Sequence, residues 1–97
     1  MGRGILPTDQ HDLVRQWKAL TKWTWDDRIP RLLVYLHYIW TNDQKIDIHK
    51  INEYEHELLR YLDESGLIIW NGRCRPKKEF WDLCCDIIYQ SYIIYEE

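Results

Sequence analysis

Residues 52–76 restrict this chain to few folds, because five kinds of local signal follow one another there without a gap. Asn52 followed three residues later by Glu55 is the pattern of a capping box, in which the Asn side chain accepts a free backbone N–H and the Glu carboxylate accepts the N–H of the cap. A helix is predicted to start at that point. Tyr54, Leu58, Tyr61 and Leu62 recur at steps of three and four and form one stripe, while Glu53, Glu57, Arg60 and Glu64 fall largely on the other side. Ser65-Gly66 ends the helix, since Gly accepts the left-handed conformation of a helix stop. Leu67 to Trp70 is bulky, β-branched or aromatic and leads into Asn71-Gly72, the dipeptide most strongly associated with a two-residue hairpin turn. Arg73-Cys74-Arg75 pairs back, and Pro76 closes the strand and opens a further helix.

Helix, Gly-Leu-Ile, hairpin and helix in this order resemble the second half of a winged-helix domain, over roughly residues 35–88. The resemblance implies that the hairpin is a wing, and it implies a DNA-binding transcriptional or replication regulator as one possible function. Residues 45–48, Lys-Ile-Asp-Ile, alternate polar with apolar like a half-buried edge strand, a candidate third strand for the hairpin. Between them and Asn52 there is room for about one turn of helix, where a DNA-reading helix-turn-helix has a full one.

The rest of the chain reads as helix. Thr8 or Asp9 can cap a first helix over residues 9–22 with Leu13, Val14, Trp17 and Leu20 as its apolar positions. Trp23 and Trp25 follow in an extended connector, where a spacing of two places both rings on one side. Asp26 or Asp27 caps a helix over residues 28–40, with Pro30 in its first turn and Ile29, Leu32, Leu33, Leu36, Ile39 and Trp40 at a nearly ideal period. Tyr35, His37 and Tyr38 flank that stripe. The last helix, residues 77–95, is apolar nearly all round: Phe80, Leu83, Cys84, Ile87 and Ile94 form one stripe, and Trp81, Cys85, Ile88, Tyr92 and Tyr95 a second. One small domain covers only one stripe, so the second is expected to mediate a homodimer.

These elements predict a single mostly helical α+β domain of about four helices with a small antiparallel hairpin, its winged-helix-like core at residues 28–76. At 97 residues the chain buries about 60 to 65% of its unfolded surface, enough for a core without staples. Its apolar runs are too short to cross a membrane, and its first residues carry neither a signal-peptide core nor a myristoylation serine, so a cytoplasmic protein is expected. The three cysteines, 74, 84 and 85, are expected to be reduced. No glycine-rich phosphate loop, nucleophilic serine motif or zinc-spaced Cys and His pattern occurs, which points to a non-catalytic protein that needs no cofactor or metal.

Two charged loci are the candidate sites. Over residues 52–65 five carboxylates face Arg60 alone, and Glu53, Glu57 and Glu64 read either as a solvated helix face or as a docking face for a basic partner. The other locus is Arg73, Arg75, Lys77 and Lys78, beside Trp70 as an aromatic platform, which suits an acidic partner or a phosphate backbone. Asp63 and Glu64 in the last turn of the acidic helix are expected to pair with Arg73 or Arg75. With a net charge of −3, six Trp and seven Tyr, the composition favours a protein-interaction regulator or inhibitor over a general polyanion binder. Such a size and aromatic excess fit a small virus- or mobile-element-encoded protein.

Overall fold

The computed structural model describes residues 12–93, with side chains described through Ser91. The caps expected at Thr8 or Asp9 lie outside these residues. Four helices and one hairpin follow in order: α1 Asp12–Thr21, α2 Ile29–Thr41, a 3-10 turn Ile48–Lys50, α3 Glu53–Glu64, strands β1 Ile68–Asn71 and β2 Arg73–Pro76, and α4 Lys78–Ile88, which runs on into a π-helical turn, Tyr89–Ile93.

Four helix ends have an identifiable cause. At the end of α1 the Thr21 hydroxyl donates to the Trp17 carbonyl at 2.7 Å and accepts the Trp23 N–H at 3.0 Å, while Lys22 takes a left-handed φ of 61°. Asp26 does not sit at the cap of α2. It stands two residues before, where its carboxylate accepts the Arg28 backbone N–H at 2.8 Å and both oxygens hold the Arg28 guanidinium at 2.8 Å. The capping box of α3 is complete: Asn52 Oδ1 accepts the Glu55 N–H at 2.8 Å and Glu55 Oε1 accepts the Asn52 N–H at 2.9 Å. Gly66, at φ 81°, ends α3 as a Schellman motif, with Leu67 N–H on the Leu62 carbonyl at 3.0 Å and Gly66 N–H on Asp63 at 3.1 Å.

The core is one cluster to which every helix contributes. Val14 and Trp17 of α1, the predicted α2 stripe from Ile29 to Ile39, Leu58, Leu59 and Leu62 of α3, Ile68 of β1 and Phe80, Leu83, Cys84 and Ile87 of α4 are buried. Aromatic rings knit its centre: Trp17 meets Trp25 edge-on at 6.0 Å, Phe80 meets Trp40 edge-on at 6.3 Å, and Trp17 and Phe80 lie tilted to each other at 5.9 Å. Edge-to-face contacts of this kind add about 0.5–1.5 kcal/mol each beyond the area they bury.

Four local expectations are corrected. Residues 45–48 are not a strand, and the sheet has β1 and β2 alone among the described residues. The Asp47 carboxylate accepts the His49 N–H at 2.9 Å and nucleates the 3-10 turn, an alternative to ladder bonding that Asp side chains readily offer. The hairpin turns on Gly72 (φ 98°), with Asn71 paired directly to Arg73 and Asn71 outside the positive-φ region. Its ladder is therefore shifted by one residue from the two-residue turn, and Trp70 stands opposite Cys74. Trp23 and Trp25 part company: Trp25 is buried against Trp17, whereas Trp23 lies half-buried against Tyr54 and Tyr61. Finally, the last helix stays α-helical only to Ile88 before the π-helical turn.

Candidate functional site

Strand alternation divides the basic locus. Ile68, Trp70, Cys74 and Pro76 point to one side of the hairpin, and Ile69, Asn71, Arg73 and Arg75 to the other. Trp70 therefore does not lie beside the arginines; its ring meets His56 of α3 edge-on at 5.7 Å. The residue that shares the arginine face is Ile69, 54% exposed and directly opposite Arg75. The expected ion pairs with Asp63 or Glu64 are not made. Arg73 instead pairs with Asp43 at 2.5 Å, across the loop after α2, and Asp63 accepts the Trp70 N–H at 3.2 Å. The Arg73 guanidinium, aided by Arg75, holds the Asp43 carboxyl below the usual carboxylate range. Lys78 pairs with Asp82 one turn on, at 2.9 Å. Arg75 and Lys77 are exposed and make no ion pair among the described residues.

Two residues of the second apolar stripe of the last helix, Trp81 and Ile88, find partners within the chain. Trp81 stacks on His37 at 5.0 Å, nearly parallel, and lies 5.8 Å from Trp40. Cys85 and Ile88 are half-buried, and Ile88 packs on the core. The side chain of Tyr92, and Tyr95 altogether, lie outside the described residues.

The acidic locus gains partners that no local pattern announces. Glu53, Glu57 and Glu64 are exposed on the outer face of α3, and none makes an ion pair among the described residues. Trp23, brought over from the connector, lies with Tyr61 (4.9 Å between ring centroids) at the foot of this face, so that Trp23, Tyr61, Glu57, Glu64 and Arg60 line an open cleft of about 250 Å³. A second hollow over Glu53, Tyr54, His56, Glu57 and Arg60 continues it along the helix. The rings are held in place. The Trp23 indole N–H donates to the Tyr54 hydroxyl at 3.1 Å, and the Tyr61 hydroxyl donates to the Thr21 carbonyl at 2.5 Å. Arg28, itself gripped by Asp26, sits 3.8 Å over the Tyr54 ring. Burial pushes the Tyr54 hydroxyl above its ordinary range, so it remains a neutral acceptor for the indole at neutral pH.

Reactive groups are muted. Burial pushes the Cys74 thiol up to about 11 and raises Cys84 and Cys85 as well, so none is an activated thiolate at neutral pH. Among the described residues no three His, Cys, Asp or Glu side chains stand together as metal ligands, and no helix is long and apolar enough to cross a membrane. No protein-family model matches the chain, and no curated protein or solved structure matches it either.

Proposed function

We propose that this chain is a non-catalytic protein-interaction module that takes a basic segment of a partner protein on the outer face of α3. The observation that carries the reading is the pairing of unneutralised carboxylates, Glu53, Glu57 and Glu64, with a floor of rings already tied down by hydrogen bonds. Aromatic rings that need no reordering contribute contact at low entropic cost, and a Lys or Arg entering the cleft meets both carboxylates and ring faces. Arg60 lies between Glu57 and Glu64 and sets a limit on how much positive charge the face accepts. The same carboxylates speak against α3 as a DNA-reading helix, because phosphates in a major groove would repel them.

The test is fluorescence anisotropy with a labelled Lys/Arg-rich peptide and, in parallel, with labelled duplex DNA. The peptide should bind with an affinity that falls as salt rises, and Glu57→Lys with Glu64→Lys should weaken it about tenfold, since rim charge pairs are worth about 0.2–1 kcal/mol each and reversal replaces attraction by repulsion. Equal affinity of wild type and the double variant, or binding of the DNA in preference to the peptide, refutes the reading.

A further inference from the structure

A different face of the molecule carries an independent site. Between α2 and the 3-10 turn runs a groove of about 540 Å³ whose apolar wall includes Leu32, Val34, Tyr35 and Ile51 and whose polar edges include Arg31 and Lys50. The Tyr35 hydroxyl accepts the Asp47 backbone N–H at 2.9 Å, so the segment leading into the turn, one wall of the groove, is fastened to α2, the other. Along α2 the exposed row continues outwards from Arg31 through Val34, 41% exposed, to Tyr38, 54% exposed, at steps of three and four. This is the spacing with which one helix presents itself to another.

The charge of the groove decides what fits it. Arg31 and Lys50 are exposed and make no ion pair among the described residues. Of the carboxylates here, Asp47 accepts the His49 N–H, and Glu55, which lines the groove but is only 3% exposed, accepts the Asn52 N–H and acts electrostatically on Arg28. An apolar trough with two free cations on its edges is complementary to a segment that is apolar on one side and acidic on its flanks. We propose that this groove docks an acidic amphipathic helix of a partner protein, with apolar side chains seated on Val34 and Ile51 and carboxylates meeting Arg31 and Lys50. The site is separate from the α3 face, and it requires a ligand of opposite charge.

The probe is a labelled helical peptide of about 15 residues, long enough to hold a helix, with Leu at i, i+3 and i+7 and Glu at the flanking positions. A second peptide carries Lys in place of Glu. Wild type should bind the Glu peptide, with amide shifts concentrated at Val34, Tyr35 and Ile51, and Arg31→Glu with Lys50→Glu should lower that affinity at least tenfold. Both side chains are exposed and make no ion pair among the described residues, so the variant should keep the melting curve of wild type; Val34→Gln, which changes the trough without adding charge, supplies a second, charge-independent block. Binding of the Lys peptide at α3 should be untouched by these substitutions, just as Glu57→Lys with Glu64→Lys should leave the Glu peptide bound, so either site can fail alone. The proposal is overturned if the Glu peptide does not bind wild type, or binds the Arg31, Lys50 and Val34 variants equally well. It is also overturned if sedimentation shows a wild-type dimer that these substitutions dissolve, since the occupant is then a second copy, or if duplex DNA displaces the Glu peptide.

Discussion

Replacing Asn52 by Ala isolates the most completely determined local device in the chain. The substitution removes the acceptor at 2.8 Å from the Glu55 N–H, which lies in a part-buried setting, while the reciprocal bond from the Asn52 N–H to Glu55 Oε1 at 2.9 Å can persist. N-cap removals cost about 0.5–2 kcal/mol, typically about 1. Here the orphaned N–H is partly shielded from water and the Glu55 side chain is only 3% exposed, so the expected loss lies in the middle of that range, about 1–1.5 kcal/mol, rather than at its lower end. For a domain of this size a loss of 1 kcal/mol lowers Tm by about 4–8 °C. Urea unfolding followed by tryptophan fluorescence reads the change as a lower midpoint with an unchanged slope. Asn52→Asp and Asn52→Ser keep an acceptor and should recover most of the loss. Asn52→Ala combined with Glu55→Ala should cost less than the sum of the two, because each removes half of one reciprocal unit. An Asn52→Ala protein within about 0.3 kcal/mol of wild type, or one no less stable than Asn52→Asp, would refute the account of how α3 begins.

Three further outcomes follow from the geometry. Gly72→Val should destabilise the domain by about 1–3 kcal/mol purely through its φ of 98°, since a Cβ there meets no atom within 4 Å; a neutral result in thermal unfolding would show that the turn relaxes freely. Asp26, whose carboxyl the Arg28 hydrogen bonds hold down at about 2 from 3.8, contributes stability that is complete above its unfolded value and is lost as pH falls through about 2, so Asp26→Asn should flatten acid unfolding between about pH 4 and pH 2. Under native conditions at pH 8, a thiol-alkylating reagent followed by mass spectrometry should label Cys85 first, with Cys74 and Cys84 reacting only on unfolding; early loss of Cys84 would contradict its burial.

What the sequence determined by itself are the features whose cause lies within three or four residues. The capping box at Asn52 and Glu55, the Gly66 stop and the α2 stripe from Ile29 to Ile39 each depend on side chains next to the backbone groups they satisfy, or on a period that repeats along one helix. The α+β, mostly helical architecture was legible for the same reason. Residues 45–48 do not form the strand their alternation suggests, because alternation alone does not supply a neighbouring strand and Asp47 has a nearer backbone partner in His49. Tertiary structure decided the rest. It gave Arg73 to Asp43 rather than to Asp63, turned Trp70 away from the arginines through a register set at Gly72, and carried Trp23 across to Tyr54 and Tyr61, more than thirty residues later in the chain. It also joined α2 to the 3-10 turn as the walls of one groove. Such pairings are chosen by how apolar faces pack over the whole chain, because burying Trp17, Phe80 and their neighbours outweighs any single surface contact, and the surface charges then pair with whatever that packing leaves within reach.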